Sequence, residues 1–307
     1  MQLSCGRSAP QLSRAELGLT RVHTSGSLEK GYIPEAKGGG SAALDFDRDG
    51  DQDLYWVNGE GGGHALYRND GLTGFVNAGE VLGVAGRGWG MGATSADFDN
   101  DGDQDLYATQ LRENLLFRND GDRFVDVAAA AGVTTSHWST GAAWADYDRD
   151  GDLDLYAASY AVFDSTEVER LGAQWKGVEV FVGPKGLMGA ADVFFRNDGD
   201  EFADITAWAL LNHPSPGYGL GVLFADMDAD GWPDLFVAND SSPNFFYRNR
   251  GDGRPLGLWP QRTNPSEHGD SLGRLRQRRP PRFARHAFCR RVQYPLSQRR
   301  RRHLCGC

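Results

Sequence analysis

Residues Asp45 to Val57 read DFDRDGDQDLYWV. Aspartates occupy positions 1, 3, 5, 7 and 9 of this string, glycine occupies position 6, and an apolar, aromatic run follows. Alternating carboxylates around a glycine that permits a sharp turn suit a hard, oxygen-seeking cation. The string recurs as DFDNDGDQDLYAT (Asp97 to Thr109), DYDRDGDLDLYAA (Asp146 to Ala158) and DMDADGWPDLFVA (Asp226 to Ala238). The first aspartates are 52, 49 and 80 residues apart. A second string follows each one: LYRNDG from Leu66, LFRNDG from Leu116, FFRNDG from Phe194 and FYRNRG from Phe246. Asn, Asp and Gly tolerate the positive φ of tight hairpins, so these are turns. Four matched pairs in one order make this a repeat protein.

Between the strings the period is that of strands. Ser41-Ala-Ala-Leu-Asp enters the first loop and Asp53-Leu-Tyr-Trp-Val leaves it, rich in apolar, aromatic and β-branched residues. Each unit reads as four strands: into the acidic loop, out of it, into the RNDG turn, and out again. About 50 residues and four strands make a propeller blade. The sequence predicts an all-β fold: a β-propeller of about four four-stranded blades spanning residues 20–253, after an N-terminal extension over 1–19. From first aspartate to RNDG asparagine the counts are 24, 22, 51 and 23. The third unit therefore carries an insertion, roughly Ser159 to Ala190, between its second and third strands.

The expected metal ligands follow from the loop pattern. Carboxylates come from Asp45, Asp47, Asp49 and Asp53 in the first loop, and from Asp97, Asp99, Asp101 and Asp105 in the second. Asp146, Asp148, Asp150 and Asp154 serve the third loop; Asp226, Asp228, Asp230 and Asp234 serve the fourth. Position 7 (Asp51, Asp103, Asp152 and Trp232) is expected to give its backbone carbonyl, which the tryptophan in the fourth loop supports. An EF-hand is excluded: it needs a glutamate at position 12, where Trp56, Ala108, Ala157 and Val237 stand, and helices on both sides. Magnesium prefers fewer protein ligands and more water, so about four Ca2+ sites are expected. Without a cation, four or five carboxylates within nine residues would repel one another.

Bulk composition agrees with a globular, turn-rich chain: 40% hydrophobic residues and 41 glycines in 307. The net charge of −10 divides sharply. Residues 254–307 hold 14 arginines against Glu267 and Asp270, which leaves residues 1–253 at −22. A body so acidic disfavours nucleic acid and favours cations. Cysteine lies only at Cys5, Cys289, Cys305 and Cys307, so the body has no disulfide framework. No run of 18 apolar residues appears, so no membrane insertion is expected. The N-terminal run lacks the apolar stretch of a signal peptide, and an exported protein would carry its signal outside this chain.

These strings closely resemble the FG-GAP/VCBS repeats, whose propellers include the integrin α-subunit head. The run GYIPEAKGGGSAALDFDRDGDQDLYWVNG (Gly31 to Gly59), the repeated LYRNDG and VGPKGLMGA (Val182 to Ala190) resemble the ASPIC/UnbV group, which includes cartilage acidic protein and many bacterial secreted proteins. The resemblance covers about residues 15 to 253. It implies a propeller of more than four blades and a C-terminal ASPIC/UnbV domain, whereas only four blades and no such domain are expected from these residues.

RLRQRRPPR and QRRRRH in the basic stretch 254–307 would suit a nucleic-acid or heparin patch, and its CxC end a metal, but the preferred expectation is a disordered tail, an out-of-frame reading of a fifth repeat. RLRQRRPPR (Arg274 to Arg282) is compatible with codons that read DYDNDGRPD one base on. Arg274 lies 48 residues after Asp226, the spacing of a repeat.

Turns after the first and third strands of a blade share one end, so the acidic loops and RNDG turns are expected on one face. The insertion and the segments GWGMG (Gly88 to Gly92), SHWSTG (Ser136 to Gly141) and GYGLG (Gly217 to Gly221) fall on the other. That second face is expected to bind a protein or glycan outside the cell, in the periplasm or at the cell surface, as an adhesion module. Packing between blades is the competing role for Trp89, Trp138 and Tyr218. The alternative function is a propeller-fold hydrolase or lyase, for which His137 is the best-placed residue. No GxSxG, HExxH or phosphate-cradling glycine loop supports it, and catalysis is not expected.

Overall fold

The computed structural model describes residues 13–27, 29–167, 173–180, 184, 186–199, 201–209, 216–252 and 256–258. The chain divides into units of residues 1–261 and 262–307. The second unit, with the expected shifted-frame repeat, lies outside the described residues.

Four antiparallel sheets of four strands account for nearly all regular structure, in the manner of propeller blades. The first blade is β1 (Ser41–Leu44), β2 (Asp53–Trp56), β3 (Ala65–Asn69) and β4 (Phe75–Asn77). The second is β5 (Gly90–Ala96), β6 (Asp105–Gln110), β7 (Leu115–Asn119) and β8 (Phe124–Asp126). In the third, β9 (Ser139–Ala145) and β10 (Asp154–Ser159) precede the insertion, which adds a separate hairpin of β11 (Ala173–Trp175) and β12 (Val178–Val180). The blade resumes with β13 (Val193–Asn197) and β14 (Phe202–Asp204). The fourth is β15 (Gly219–Ala225), β16 (Asp234–Asn239), β17 (Phe245–Arg248) and β18 (Gly257–Leu258). Its last strand falls inside the stretch set apart as a tail: arginine density marks a change of composition, but the blade still needs a fourth strand.

First strands of successive blades lie side by side, β1 with β5, β5 with β9 and β9 with β15. In the two inner blades the second strands are covered on both faces, with every residue of β6 and β10 buried, while β2 and β16 keep partly exposed residues. Leu44, Tyr55, Leu66, Leu106 and Phe117 fill the gap between the first two blades. Tyr107, Leu116, Leu155 and Phe195 do so for the next pair, and Tyr156, Phe194, Leu235 and Tyr247 for the last. Large apolar rings packed between sheets are the main stabilising term, at about 25 cal/mol per Å² of apolar surface buried. Among the described residues no helix is long and apolar enough to cross a membrane.

Candidate functional site

Each acidic loop joins the first two strands of its blade. Position 4 is left-handed in all four: Arg48 at φ 58°, Asn100 at 59°, Arg149 at 63° and Ala229 at 62°. The position-6 glycines follow at 91°, 92°, 102° and 93° for Gly50, Gly102, Gly151 and Gly231. Glycine adopts that region freely, other residues at a cost, so one repeated conformation is being enforced. Inward-turned amides enforce it. Gly50, Gly102 and Gly231 donate to Oδ2 of Asp45, Asp97 and Asp226 at 3.1, 2.9 and 2.9 Å. The position-7 amides of Asp51, Asp103, Asp152 and Trp232 donate to Oδ1 of Asp49, Asp101, Asp150 and Asp230.

Position 9 ties the loop to the turn of its own blade. Asp53, Asp105, Asp154 and Asp234 are buried. Their Oδ2 atoms accept the position-2 amides of Phe46, Phe98, Tyr147 and Met227. Their Oδ1 atoms accept the RNDG amides of Asn69, Asn119, Asn197 and Asn249 at 2.8 to 2.9 Å. Burial pushes the carboxyls of Asp105 and Asp154 up to about 7, against the downward pull of those bonds, and raises Asp53 and Asp234 in the same way. At position 3, burial and then the acid two residues on raise Asp47, Asp99 and Asp148.

Carboxylate oxygens converge in four groups, each within 4.8 Å: Asp45, Asp47 and Asp53; Asp97, Asp99 and Asp101; Asp146, Asp148 and Asp154; Asp226, Asp228 and Asp230. Ligands 2.3–2.6 Å from a shared calcium lie no more than about 5 Å apart. Oδ1 of Asp97, Asp146 and Asp148 is buried with no hydrogen-bond partner. An orphaned carboxylate oxygen is costly to bury, and a cation would remove that cost. The donor set and its spacing fit calcium.

From the second loop on, the position-7 side chains reach toward the preceding loop. Asp103 pairs with Arg48. Asp152 accepts from Asn100 Nδ2 at 2.8 Å. The Arg149 guanidinium lies 4.5 Å from the ring centre of Trp232. Position 4 of one loop thus meets position 7 of the next three times, by ion pair, hydrogen bond and cation–π contact. Sequence reasoning missed this link because the three pairs share geometry while no one pairing of residue types recurs.

At the other end of the blades, Trp138 is fully buried among Ile33, Met91 and Tyr160, so it packs and is closed to a partner. The Tyr218 hydroxyl donates to the Leu187 carbonyl at 2.9 Å. Trp89 is half-buried and lines a recess of about 540 Å³ with Tyr32, Glu35, Glu60, Gln110, Arg112 and Phe163. His137 is not among the lining residues. Tyr32 and Glu35 lie in the quoted run Gly31 to Gly59 but were given no site role there, and Phe163 lies in the insertion with no motif of its own. Glu35 is anchored: it accepts the amides of Ser27 and Tyr32, both at 2.7 Å, and that of Gly31. Burial works against its ionisation, but these bonds outweigh it and hold the carboxyl below its usual range.

Asp192 accepts from the Tyr156 hydroxyl and the Ser159 amide, both at 2.7 Å, and burial pushes its carboxyl up to about 6. Between about pH 4 and pH 6 the folded chain holds a proton there that the unfolded chain lacks. That stability is fully present at acid pH and lost as pH rises through about 6. Relative to Asp192→Asn, the native protein should lose about 2 kcal/mol between pH 4 and pH 7 in urea denaturation at fixed calcium. A pH-independent difference would show that Asp192 ionises normally.

The family model for the FG-GAP-like repeat matches residues 45–108, 97–157 and 226–273, more than half of the chain. Curated proteins give no match. Among solved structures, one similar chain is an Agrocybe aegerita lectin described as specifically recognising non-reducing terminal N-acetylglucosamine. It is 17% identical with a TM-score of 0.31, over 72% of this chain and 66% of that one. The V. cholerae biofilm matrix protein Bap1 is 17% identical with a TM-score of 0.30, over 77% of this chain and 41% of Bap1. At these TM-scores neither likeness says what this chain binds.

Proposed function

Because the chain belongs to the FG-GAP-like repeat family, we propose that it is a calcium-stabilised interaction module acting outside the cell or at its surface. Its partner, a protein or glycan, would engage the face opposite the acidic loops. The observation that carries this reading is the separation of two chemistries along the blades. All four carboxylate groups sit at one end, and the aromatic recess of about 540 Å³ sits at the other. That volume falls within the ~300–1,000 Å³ of small-molecule sites. Trp89, Tyr32 and Phe163 offer ring faces to the C–H face of a sugar or to an apolar side chain, and the exposed Glu60 and Arg112 offer polar partners at the rim. Glu35, the enclosed acid, is already committed to three backbone amides, which favours binding over catalysis. Millimolar calcium outside cells fills sites that cytosolic levels leave empty. Within the family, GYIPEAKGGG and VGPKGLMGA favour the ASPIC/UnbV group.

A glycan array probed with the whole chain in millimolar calcium tests the reading. We expect binding that Trp89→Ala reduces at least tenfold and that a chelator abolishes. Binding that survives Trp89→Ala and deletion of the 159–190 insertion would place the ligand elsewhere.

A further inference from the structure

The fourth repeat breaks the RNDG pattern at one residue: Arg250 stands where the other turns have Asp70, Asp120 and Asp198. In those three, the arginine two residues earlier is tied to that aspartate, although its charge still reaches Asp47, Asp99 or Asp148 of its own loop. Arg68, Arg118 and Arg196 donate from Nε to Asp70, Asp120 and Asp198 at 2.7, 2.8 and 2.7 Å. With Arg250 in place, that acceptor is gone and a like charge replaces it. The guanidinium of Arg248 instead pairs with Asp228 and, at 3.2 Å, with Asp230, positions 3 and 5 of the fourth loop. Both are members of the carboxylate group in that loop. The same loop has Trp232 at position 7, where the others carry Asp51, Asp103 and Asp152, so its surroundings hold one negative charge fewer although its carboxylate group keeps the same three positions as the second loop's.

Resting on the calcium reading above, we propose that the fourth loop is neutralised from within: Arg248 competes with calcium there, and residue 250 decides whether it can. A cation entering this loop must displace a guanidinium from two carboxylates and then sit beside its positive charge. Entering any of the other three, it relieves repulsion. Affinity in such loops follows ligand charge, so the chain has three stronger sites and one weaker. Arg250 is exposed, and restoring aspartate there returns the turn its siblings have.

The test is a calcium titration of the whole chain by calorimetry, with terbium luminescence sensitised by Trp232 as a report on the fourth loop. The native chain should show three tighter sites, with the Trp232-sensitised signal, identified by its loss in Trp232→Phe, saturating last. Arg250→Asp should tighten the fourth site by roughly two- to fivefold, and Arg248→Gln should do the same by removing the competitor. Four equivalent sites in the native chain, or a fourth site unmoved by both substitutions, would overturn the proposal. An absence of calcium binding at every loop would overturn the calcium reading itself, and the proposal with it.

Discussion

Moving the protein from millimolar calcium into chelator should lower its thermal midpoint by roughly 20 °C or more. The size follows from linkage. A site held at a hundredfold its dissociation constant contributes about 2.7 kcal/mol, so three filled loops contribute about 8 kcal/mol. In a domain of 150–250 residues each kcal/mol moves the midpoint by about 2–4 °C. The acidic loops are poorly placed to do without the ion. Asp47, Asp99 and Asp148 are raised by burial and by the next acid in line, and three carboxylate oxygens lie buried without a partner. Magnesium should restore little of the loss, because it resists giving up its water. Equal midpoints in calcium and chelator would mean that the amides of the loop suffice to hold it, and the calcium reading would fall.

How much of this was legible beforehand differs by level. The two strands flanking the first loop were readable almost to the residue, since Ser41–Leu44 and Asp53–Trp56 are bounded by that loop, whereas the last strand of the fourth blade, Gly257–Leu258, fell beyond the expected body. The four blades needed only the repeated strings. The carboxylate groups were readable as loops, though the closest sets differ, with position 9 joining in the first and third and position 5 in the second and fourth. What stayed hidden were relations between units. A string such as DRDGDQ shows which residues neighbour one another along the chain, but not that Arg48 reaches Asp103 in the next blade. Trp89, Trp138 and Tyr218 illustrate the same limit. Their sequence settings are alike, yet Trp138 is buried core and Trp89 borders a recess, because the 3₁₀ turn Ile33–Ala36 and its neighbours cover one and leave the other half open.

The RNDG asparagine should prove far more costly to remove than a turn residue, and unequally so along the chain. Its Oδ1 accepts the amide of the glycine two residues on in every repeat, the bond of an ordinary Asx turn. Its Nδ2 does something else. Asn119 donates to the Phe46 carbonyl at 2.9 Å, Asn197 to Phe98 at 2.8 Å and Asn249 to Tyr147 at 2.6 Å. Each acceptor is position 2 of the acidic loop in the preceding blade, so the turn of one blade fastens the loop of the one before. Asn119 and Asn197 are fully buried, and each also donates to a second carbonyl, Gln104 or Leu153, at 3.3 Å. Alanine at either position strands both carbonyls away from water, at about 1–3 kcal/mol for each. Asn119→Ala and Asn197→Ala should therefore destabilise by about 3–5 kcal/mol in urea at saturating calcium. Asn69 fastens only Gln52 of its own loop and is partly exposed, so Asn69→Ala should cost about 1 kcal/mol. Similar losses at Asn69 and Asn197 would reduce the asparagine to a turn former. The expected inequality has a second consequence. Because Asn197 holds the carbonyl beside Asp97 and Asp99, Asn197→Ala should weaken calcium at the second loop, a blade away from the substitution, while leaving the first loop as it was.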